Sequence, residues 1–426
     1  MKRWDIFCKI VDNFGDIGVC WRLARQLQLE HGLQIRLWID DLSVAQKIIF
    51  SLNDKKTSQV CDGIKIEKWR AASDFSQAAD VVIEAFACEL PSAYLVAMAQ
   101  QKSKWINLEY LSAENWVDDF HAKPSPQHFL KSANGLTRYF YFPGFTEKTG
   151  GLIRECEIAA QLQNYPEPSF PRKRGSILDG NSRWIPAFAG MTENKVSESK
   201  LKISLFCYPN APINDLLTAL CANIHAVEVY VSATSVLPKI ADFFGAKTIT
   251  VGDYFNRENL HVHILPFLSQ TDYDALLRDC DLNFVRGEDS WLRAIWAGKP
   301  FIWQPFFQDE NTHIKKLNAF LDLFYADIKA QARTQPSFPR KRESSSAAKI
   351  KMDSRLRGND GVEENDPFNS VTNLHHAWVA GTITSEIWQN YLANLSAINS
   401  HTLQRGAQLA KQTDLATKLV IFCNKL

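Results

Sequence analysis

The sequence predicts an α/β protein of two Rossmann-like domains facing each other across a cleft, and three observations lead there. Short runs of β-branched and aromatic residues alternate with helical patterns through both halves of the chain, the rhythm of parallel sheets covered by helices. The length of 426 residues, 46% of them hydrophobic and 22% charged, supplies two hydrophobic cores with segments to spare. Each half also carries a glycine-bearing stretch between an expected strand and an expected helix, Lys9–Gly18 in the first and Arg286–Ser290 in the second. Open α/β sheets hold their ligands at such turns.

In the first half, strands are expected at Trp4–Lys9, Ile35–Ile39, Ile64–Trp69, Val81–Ala85 and Trp105–Leu108, with helices between them, the first beginning near Ile17. In the second half they are expected at Lys202–Tyr208, Val227–Val231, Thr248–Val251, Val262–Pro266, Leu282–Val285 and Phe301–Gln304, with a helix starting near Asp289. An amphipathic stretch from about Ser385 to Phe422 is long enough to end the second domain and cross back over the first. The expected division is 1–164 for the first domain, 165–199 for a linker, 200–400 for the second domain and 401–426 for a C-terminal helix returning to the first.

Two segments break this rhythm and share a repeat. PSFPRKR stands at Pro168–Arg174 and again at Pro336–Arg342, followed by WIPAFAGMT at Trp184–Thr192 in one case and DSRLRGND at Asp353–Asp360 in the other. A DNA string able to encode FPRKRE has a reverse complement that, one frame over, encodes IPAFAGM, and a near variant encodes DSRLRGND. Both segments therefore read as in-frame insertions of a mobile inverted-repeat element, within 165–199 and 335–366. Their Pro, Arg, Ser and Gly content predicts exposed, flexible loops.

The bulk properties exclude several classes. A formal net charge of +1 leaves no electrostatic footprint for nucleic acid or an anionic membrane. No apolar run approaches bilayer-spanning length, and Met1–Trp21 mixes charges into its apolar residues where a signal peptide has an uninterrupted core. A cytoplasmic address is expected. The nine cysteines are scattered without a C-x-x-C pair, so neither a disulfide framework nor a structural zinc site is expected.

The first chemical feature is KIVDNFGDIG, Lys9–Gly18. It lacks the G-x-G-x-x-G and G-K-[ST] patterns of dinucleotide and P-loop sites and offers a carboxylate pair, Asp12 and Asp16. Each has a purely structural alternative, a helix N-cap for Asp16 and an Asx-turn for Asp12. The second is DLNFVRGEDSWLRAIWAGKP, Asp281–Pro300. Gly287 lets backbone approach a ligand, the N–H groups of Asp289 and Ser290 open a helix able to receive a diphosphate, Arg286 adds a fixed cation, and Glu288 can accept from ribose hydroxyls. The third is aromatic: Phe206, Tyr208, Phe267 and Tyr273, with Gln270, fall near the same sheet edge, where rings can sandwich a base. The D-x-D matches Asp272–Asp274 and Asp279–Asp281 are set aside because they straddle one helix, away from the cleft, and no metal site is expected.

These phrases, in this order, resemble the EF-P arginine rhamnosyltransferases, the EarP family of GT-B glycosyltransferases. The matching stretches are WDIFCKIVDNFGDIGVCWRLARQL, INLEYLSAENWVDDFH, YFYFPGFTEKTGGLI and LPFLSQTDYDALLRDCDLNFVRGEDSWLRAIWAGKPFIWQ, covering nearly the whole chain outside the insertions. The resemblance implies a dTDP-β-L-rhamnose donor on the C-terminal domain, elongation factor P as protein acceptor on the N-terminal domain, and inversion to α-rhamnosyl-arginine, which activates EF-P for rescue of stalled translation. It places Asp12 and Asp16 on the catalytic aspartates and Asn13, Phe14, Gly15 and Gly18 on the acceptor-side loop. Arg286, Gly287, Glu288, Asp289 and Ser290 fall on the donor-binding run, and Phe206, Tyr208, Phe267 and Gln270 on the nucleotide pocket. One departure is Phe306, where the family often has tyrosine, so that the backbone and Ser290 are left to meet the diphosphate. Asp16 is expected as base and Asp12 as its orienting partner. Two alternatives differ in kind, a transferase with a small-molecule acceptor and a silent sugar-nucleotide-binding regulator, and the presence of both aspartates speaks against the second.

Loop-closure entropy grows by only about 0.6 kcal/mol per doubling of loop length, so removing Ser169–Thr192 or Ser337–Asp360 is expected to leave fold and activity intact. Circular dichroism and a transfer assay on the deletion variants check this; an unfolded product would make the insertions structural parts of the protein.

Overall fold

A computed structural model describes residues 2–163 (apart from 13, 71, 72, 74, 129, 130 and 134), 200–334 and 366–426. Both repeat-bearing segments and Asn13 lie outside the described residues.

The first sheet has eight strands: β1 (Arg3–Cys8), β2 (Gln34–Ile39), β3 (Ser58–Cys61), β4 (Ile64–Lys68), β5 (Val81–Ala85), β6 (Lys104–Leu108), β7 (Lys123–Pro126) and β8 (Thr137–Tyr141). Their order is β3-β4-β2-β1-β5-β6-β8-β7. The six inner strands pair parallel, and the edges β3 and β7 pair antiparallel. Parallel strands are covered on both faces and read as continuous apolar runs, as in β1, where all but Arg3 is buried. Asp5, the charged residue within that run, is 0% exposed; its carboxylate accepts from Arg36 Nε at 3.0 Å, from Trp38 Nε1 at 3.3 Å and from the Tyr94 hydroxyl, which offsets its desolvation.

The second sheet holds β9 (Leu201–Leu205), β10 (Val227–Ser232), β11 (Tyr254–Arg257), β12 (Leu260–Leu265), β13 (Leu282–Arg286) and β14 (Phe301–Gln304), in the order β11-β12-β10-β9-β13-β14. All pairs are parallel except β11 with β12. In each sheet the chain first builds outward on one side of its initial strand and then returns to the other. The reversals fall between β1 and β5 and between β9 and β13, and the two chemical stretches leave the carboxyl ends of β1 and β13. Topology alone therefore sets both at switch points.

Three expectations need correction. Thr248–Val251 is not a strand: the Asp253 carboxylate accepts from the Thr250 N–H at 2.7 Å and its hydroxyl at 3.1 Å, curling these β-branched residues into a turn, and the strand forms at β11. Strands β3, β7 and β8 had no counterpart; β7 reads KPSP, and proline is tolerated there because the strand is an edge. The C-terminal stretch is three helices, Ser385–Ala393, Leu395–Leu409 and Leu415–Lys425, the last capped by Asp414, which accepts from the Thr417 N–H at 2.9 Å.

That last helix does return to the first unit. The Leu415 N–H donates to Leu152 O at 2.9 Å, and Lys104 Nζ donates to Cys423 O at 2.5 Å. The Phe422 ring lies 5.5 Å from those of Tyr139 and Tyr141. At Gly151, with φ +79°, a Cβ would stand 2.7 Å from Thr413 O, so only glycine lets the returning chain pass this close. Among the described residues no helix is long and apolar enough to cross a membrane. Leu419 on the returning helix is 0% exposed, and Leu419→Ala is expected to lower stability by about 2–5 kcal/mol through cavity formation, measured by urea denaturation.

Candidate active site

The loop leaving β1 enters helix α1 (Gly15–His31) two residues earlier than expected, and Asp16 does not cap it. Phe14 occupies the cap position without a side-chain bond. Asp16 Oδ2 instead accepts from the N–H groups of Val11 at 2.7 Å and Asp12 at 2.8 Å, folding the strand exit back onto the first turn of its own helix. Its Oδ1 has a long contact with the Tyr110 hydroxyl, 3.4 Å, and Tyr110 stacks on Phe86 with centroids 4.4 Å apart. Asp12 reaches the other way. Its Oδ2 accepts from the Tyr208 hydroxyl of the second unit at 2.5 Å, and a Cβ on Gly287 would stand 2.8 Å from that same oxygen. Gly287 has φ +59°, so both its conformation and its crowding call for glycine.

Two neighbouring cavities share Asp12 and Gly15 as a common wall. The first is aromatic, lined by Phe14, Phe206, Phe267, Gln270, Asp289 and Ser290. Phe14 packs on Phe267 with centroids 4.6 Å apart, and the Arg286 guanidinium is seated over Tyr208 at 4.4 Å, Phe206 at 4.8 Å and Phe14 at 5.6 Å, a cation held by ring faces. The second cavity is acidic, lined by Asp12, Asp16, Glu288, Tyr110, Phe306 and Lys316.

The structure thus redistributes several residues. Phe14, expected on the acceptor-side loop, lines the aromatic cavity, and the carbonyl of Gly18 accepts from Gln270 Nε2 at 3.0 Å. Glu288, expected beside a ribose, turns away from the aromatic cavity; its Oε2 accepts from the Leu111 N–H of the first unit at 3.0 Å, and it stands with the two aspartates. The Ser290 hydroxyl bonds to the backbone N–H and carbonyl of Arg286 and so closes its own turn at the wall of the aromatic cavity. Phe306 packs edge-on to Tyr208 at 5.8 Å.

The D-x-D carboxylates have other uses. Asp272 is tied to the Ser269 cap and Asp279 to Lys202. Asp274 corrects the expectation that this helix, Gln270–Asp279, keeps its acids away from the cleft. It is gripped by Arg22 of α1, Nη1 and Nη2 at 3.0 and 2.9 Å, and by Arg293, Nε and Nη2 at 3.1 and 2.6 Å. Arg22 Nε also donates to Asp289 Oδ1 at 2.6 Å, and Arg293 Nη1 to Glu155 Oε2 at 2.6 Å. Burial opposes the Arg22 charge, but Asp274, Asp289 and Glu155 outweigh it and hold its pKa above the ordinary value. Sequence reasoning missed this cluster because Arg22 sits on a helix face that reads as ordinary. Among the described residues, one His/Cys/Asp/Glu group is compact enough for a metal ion, Glu30, His31 and Asp414. It lies at the opposite end of α1 from Asp16, and its carboxylates already accept from Gln26, Thr417 and the Cys156 N–H.

Burial raises the carboxyl groups of the acidic cavity. Asp12 moves up to about 6 against the opposing Tyr208 hydrogen bond and Arg286 charge. Asp16 is raised by the same desolvation, against its two backbone donors. Glu288 is pushed up to about 8, with the Leu111 N–H and Lys316 offsetting only part. Well below the normal carboxylate range Glu288 is protonated folded and unfolded alike. Between that range and about 8 the folded chain keeps a proton that the unfolded chain has released, so its contribution to stability is lost as pH rises. Glu288→Gln is expected to flatten the fall in urea midpoint between about pH 5 and pH 8; identical slopes in variant and parent would mean that Glu288 ionises normally.

Comparison with known proteins agrees with this geometry. Residues 4–342 match the family model described as Elongation-Factor P (EF-P) rhamnosyltransferase EarP. A protein-arginine rhamnosyltransferase of Pseudomonas putida is 38% identical over 421 residues, 98% of each chain. One from Pseudomonas aeruginosa is 43% identical over 332 residues, 78% of this chain and 84% of that one. A solved structure described as the structural basis for EarP-mediated arginine glycosylation of translation elongation factor EF-P aligns with TM-score 0.58 and 28% identity over 100% of this chain and 99% of that one. The family model matched over most of the chain, with relatives at 38% and 43% identity, places this chain of two Rossmann-like units in the EarP family of EF-P rhamnosyltransferases.

Proposed function

We propose that this protein is a cytoplasmic inverting glycosyltransferase that moves L-rhamnose from dTDP-β-L-rhamnose to an arginine side chain of elongation factor P, activating it for rescue of stalled translation. The observation that carries the reading is the pair of cavities meeting at Asp12, one aromatic with a cation beside it and one acidic. A nucleotide suits the first. Phe206, Phe267 and Phe14 offer faces to a base, Gln270 an amide to its polar edge, and Arg286 with the N-terminus of helix Asp289–Ala297 a positive field for the diphosphate. In this reading 200–400 is the donor domain and 1–164 the acceptor domain.

A guanidinium suits the second cavity. Its pKa is above 12, so no carboxylate removes its proton before attack. Asp12, Asp16 and Glu288 instead surround it, and its positive charge favours their ionised forms. The arginine Nη attacks the anomeric carbon from the face opposite the diphosphate. As the C–N bond forms, the C–O bond to the diphosphate breaks and the nitrogen passes a proton to Asp16. Oδ2 of Asp16 is fixed by two backbone amides, which leaves Oδ1 to take that proton in a set orientation. Asp12 steadies the guanidinium from the cavity wall, and Glu288 joins the acceptor side. The leaving diphosphate's charge falls on Arg286 and the helix N-terminus, so the step invokes no metal.

Asp16→Asn is expected to cut transfer by about 10²–10⁴-fold, the usual worth of a general base, and to leave dTDP affinity nearly unchanged. Intact-mass measurement of EF-P after incubation with dTDP-rhamnose reads the first, calorimetry the second. Turnover near the parent rate would return Asp16 to a role in shaping its loop.

A further inference from the structure

We propose that Arg22 is a positioning residue for donor binding: from α1 of the first unit it orients the Asp289 carboxylate toward the aromatic cavity, and so ties the placement of Asp16 to donor occupancy. The inference rests on the reading of Asp289 as a donor contact and adds a residue that no donor-binding motif contains.

The geometry is specific at each end. Arg22 Nε takes Asp289 Oδ1 at 2.6 Å, which leaves Oδ2 at the cavity, 3.3 Å from Gln270 Nε2. The two remaining nitrogens are locked bidentate on Asp274, a fork–fork pairing that lysine cannot reproduce. Asp274 is held in turn by Arg293, so the guanidinium that steers Asp289 has little freedom of its own. Gly18, one helical turn before Arg22, makes the approach possible: a Cβ there would stand 3.1 Å from Asp289 Oδ2. Asp16 lies in the first turn of the same helix, about 9 Å from Arg22 along a rigid rod. The contact that aims a donor ligand therefore also sets where the proposed base stands.

An inter-unit clamp with no part in donor recognition would use the same salt bridges, and donor affinity separates the two roles. Arg22→Lys keeps the charge and loses the fork. It is expected to weaken dTDP binding and raise the donor KM on the order of tenfold, with the EF-P KM unchanged. Asp289→Ala should weaken dTDP binding similarly, and the double variant should be no worse than the more affected single, as for residues acting through one contact. Asp274→Asn loosens Arg22 without removing it, gives a smaller loss in the same direction, and serves if Arg22→Lys does not fold. Calorimetry with dTDP and thermal denaturation are run on each. Lower melting temperature with unchanged dTDP affinity in the Arg22 and Asp274 variants, while Asp289→Ala binds weakly, would reduce Arg22 to a clamp and overturn the inference alone. Unchanged affinity in Asp289→Ala would overturn the donor-site reading and the inference with it.

Discussion

The cleft depends on one buried cluster of charges. Arg22 and Arg293 stand between Asp274, Asp289 and Glu155, with both guanidiniums nearly inaccessible at 5–6% side-chain exposure. Taking such groups out of water costs several kcal/mol per ion, which their attraction offsets only with good geometry, so the cluster contributes more to a defined arrangement than to net stability. Apolar surfaces alone would let α1 slide or rotate over helix Asp289–Ala297. Two forked pairings on one carboxylate do not. From that fixed helix follow the strand exit folded over Asp16, the reach of Asp12 to Tyr208 and the turn of Glu288 toward Leu111. Trp296 Nε1 on Ile153 O at 2.9 Å and the packing of Phe145 on Trp291 at 5.5 Å extend the same contact.

Within the cleft, opposite electrostatic characters are separated by the width of one aspartate. Arg286 rests on ring faces, a seat that holds a cation without neutralising it. A few ångströms away three carboxyl groups share an acidic cavity, where burial keeps protons on Asp12 and Glu288 at pH values where exposed acids have lost theirs. A cation entering the acidic pocket favours release of those protons and is then held by the charge it uncovers, whereas the aromatic cavity offers an anion the Arg286 charge. The turn after β5 lies at this boundary with Phe86 and Ala87 at φ +57° and +51°, a backbone cost of the kind found at functional sites, and it presents the ring on which Tyr110 stacks.

Much of this could be read before any coordinates. Strand-to-helix turns at β1 and β13, an aspartate pair and an Arg-Gly-Glu-Asp-Ser run all announce themselves locally, because glycine, charge and the change of hydrophobic period are local signals. What stayed hidden is non-local. Arg22 meets partners 252 and 267 residues away, and nothing near it marks it out from any other charge on an amphipathic helix. Asp274 was visible only as half of a misleading D-x-D. Glu288 reads with Asp289 and Ser290 in sequence but lines the acidic cavity while they line the aromatic one, because adjacent residues at a helix start point in different directions. The Thr248–Val251 miss has the same root: strand-prone side chains lost to a carboxylate three residues on.

The returning C-terminal helix sets the order in which this molecule can be completed. Tyr139, Tyr141 and Leu152 belong to the first unit, but their cover, Leu415–Lys425, is synthesised only after the whole second unit. Domains fold as units, N-terminal first, as the chain emerges. The first unit emerges with an apolar flank bare and keeps it bare until Leu415–Lys425 has followed the second unit out. Every residue inserted between the two, including both repeat-bearing segments, lengthens that exposure and with it the nascent chain's time at risk of aggregation.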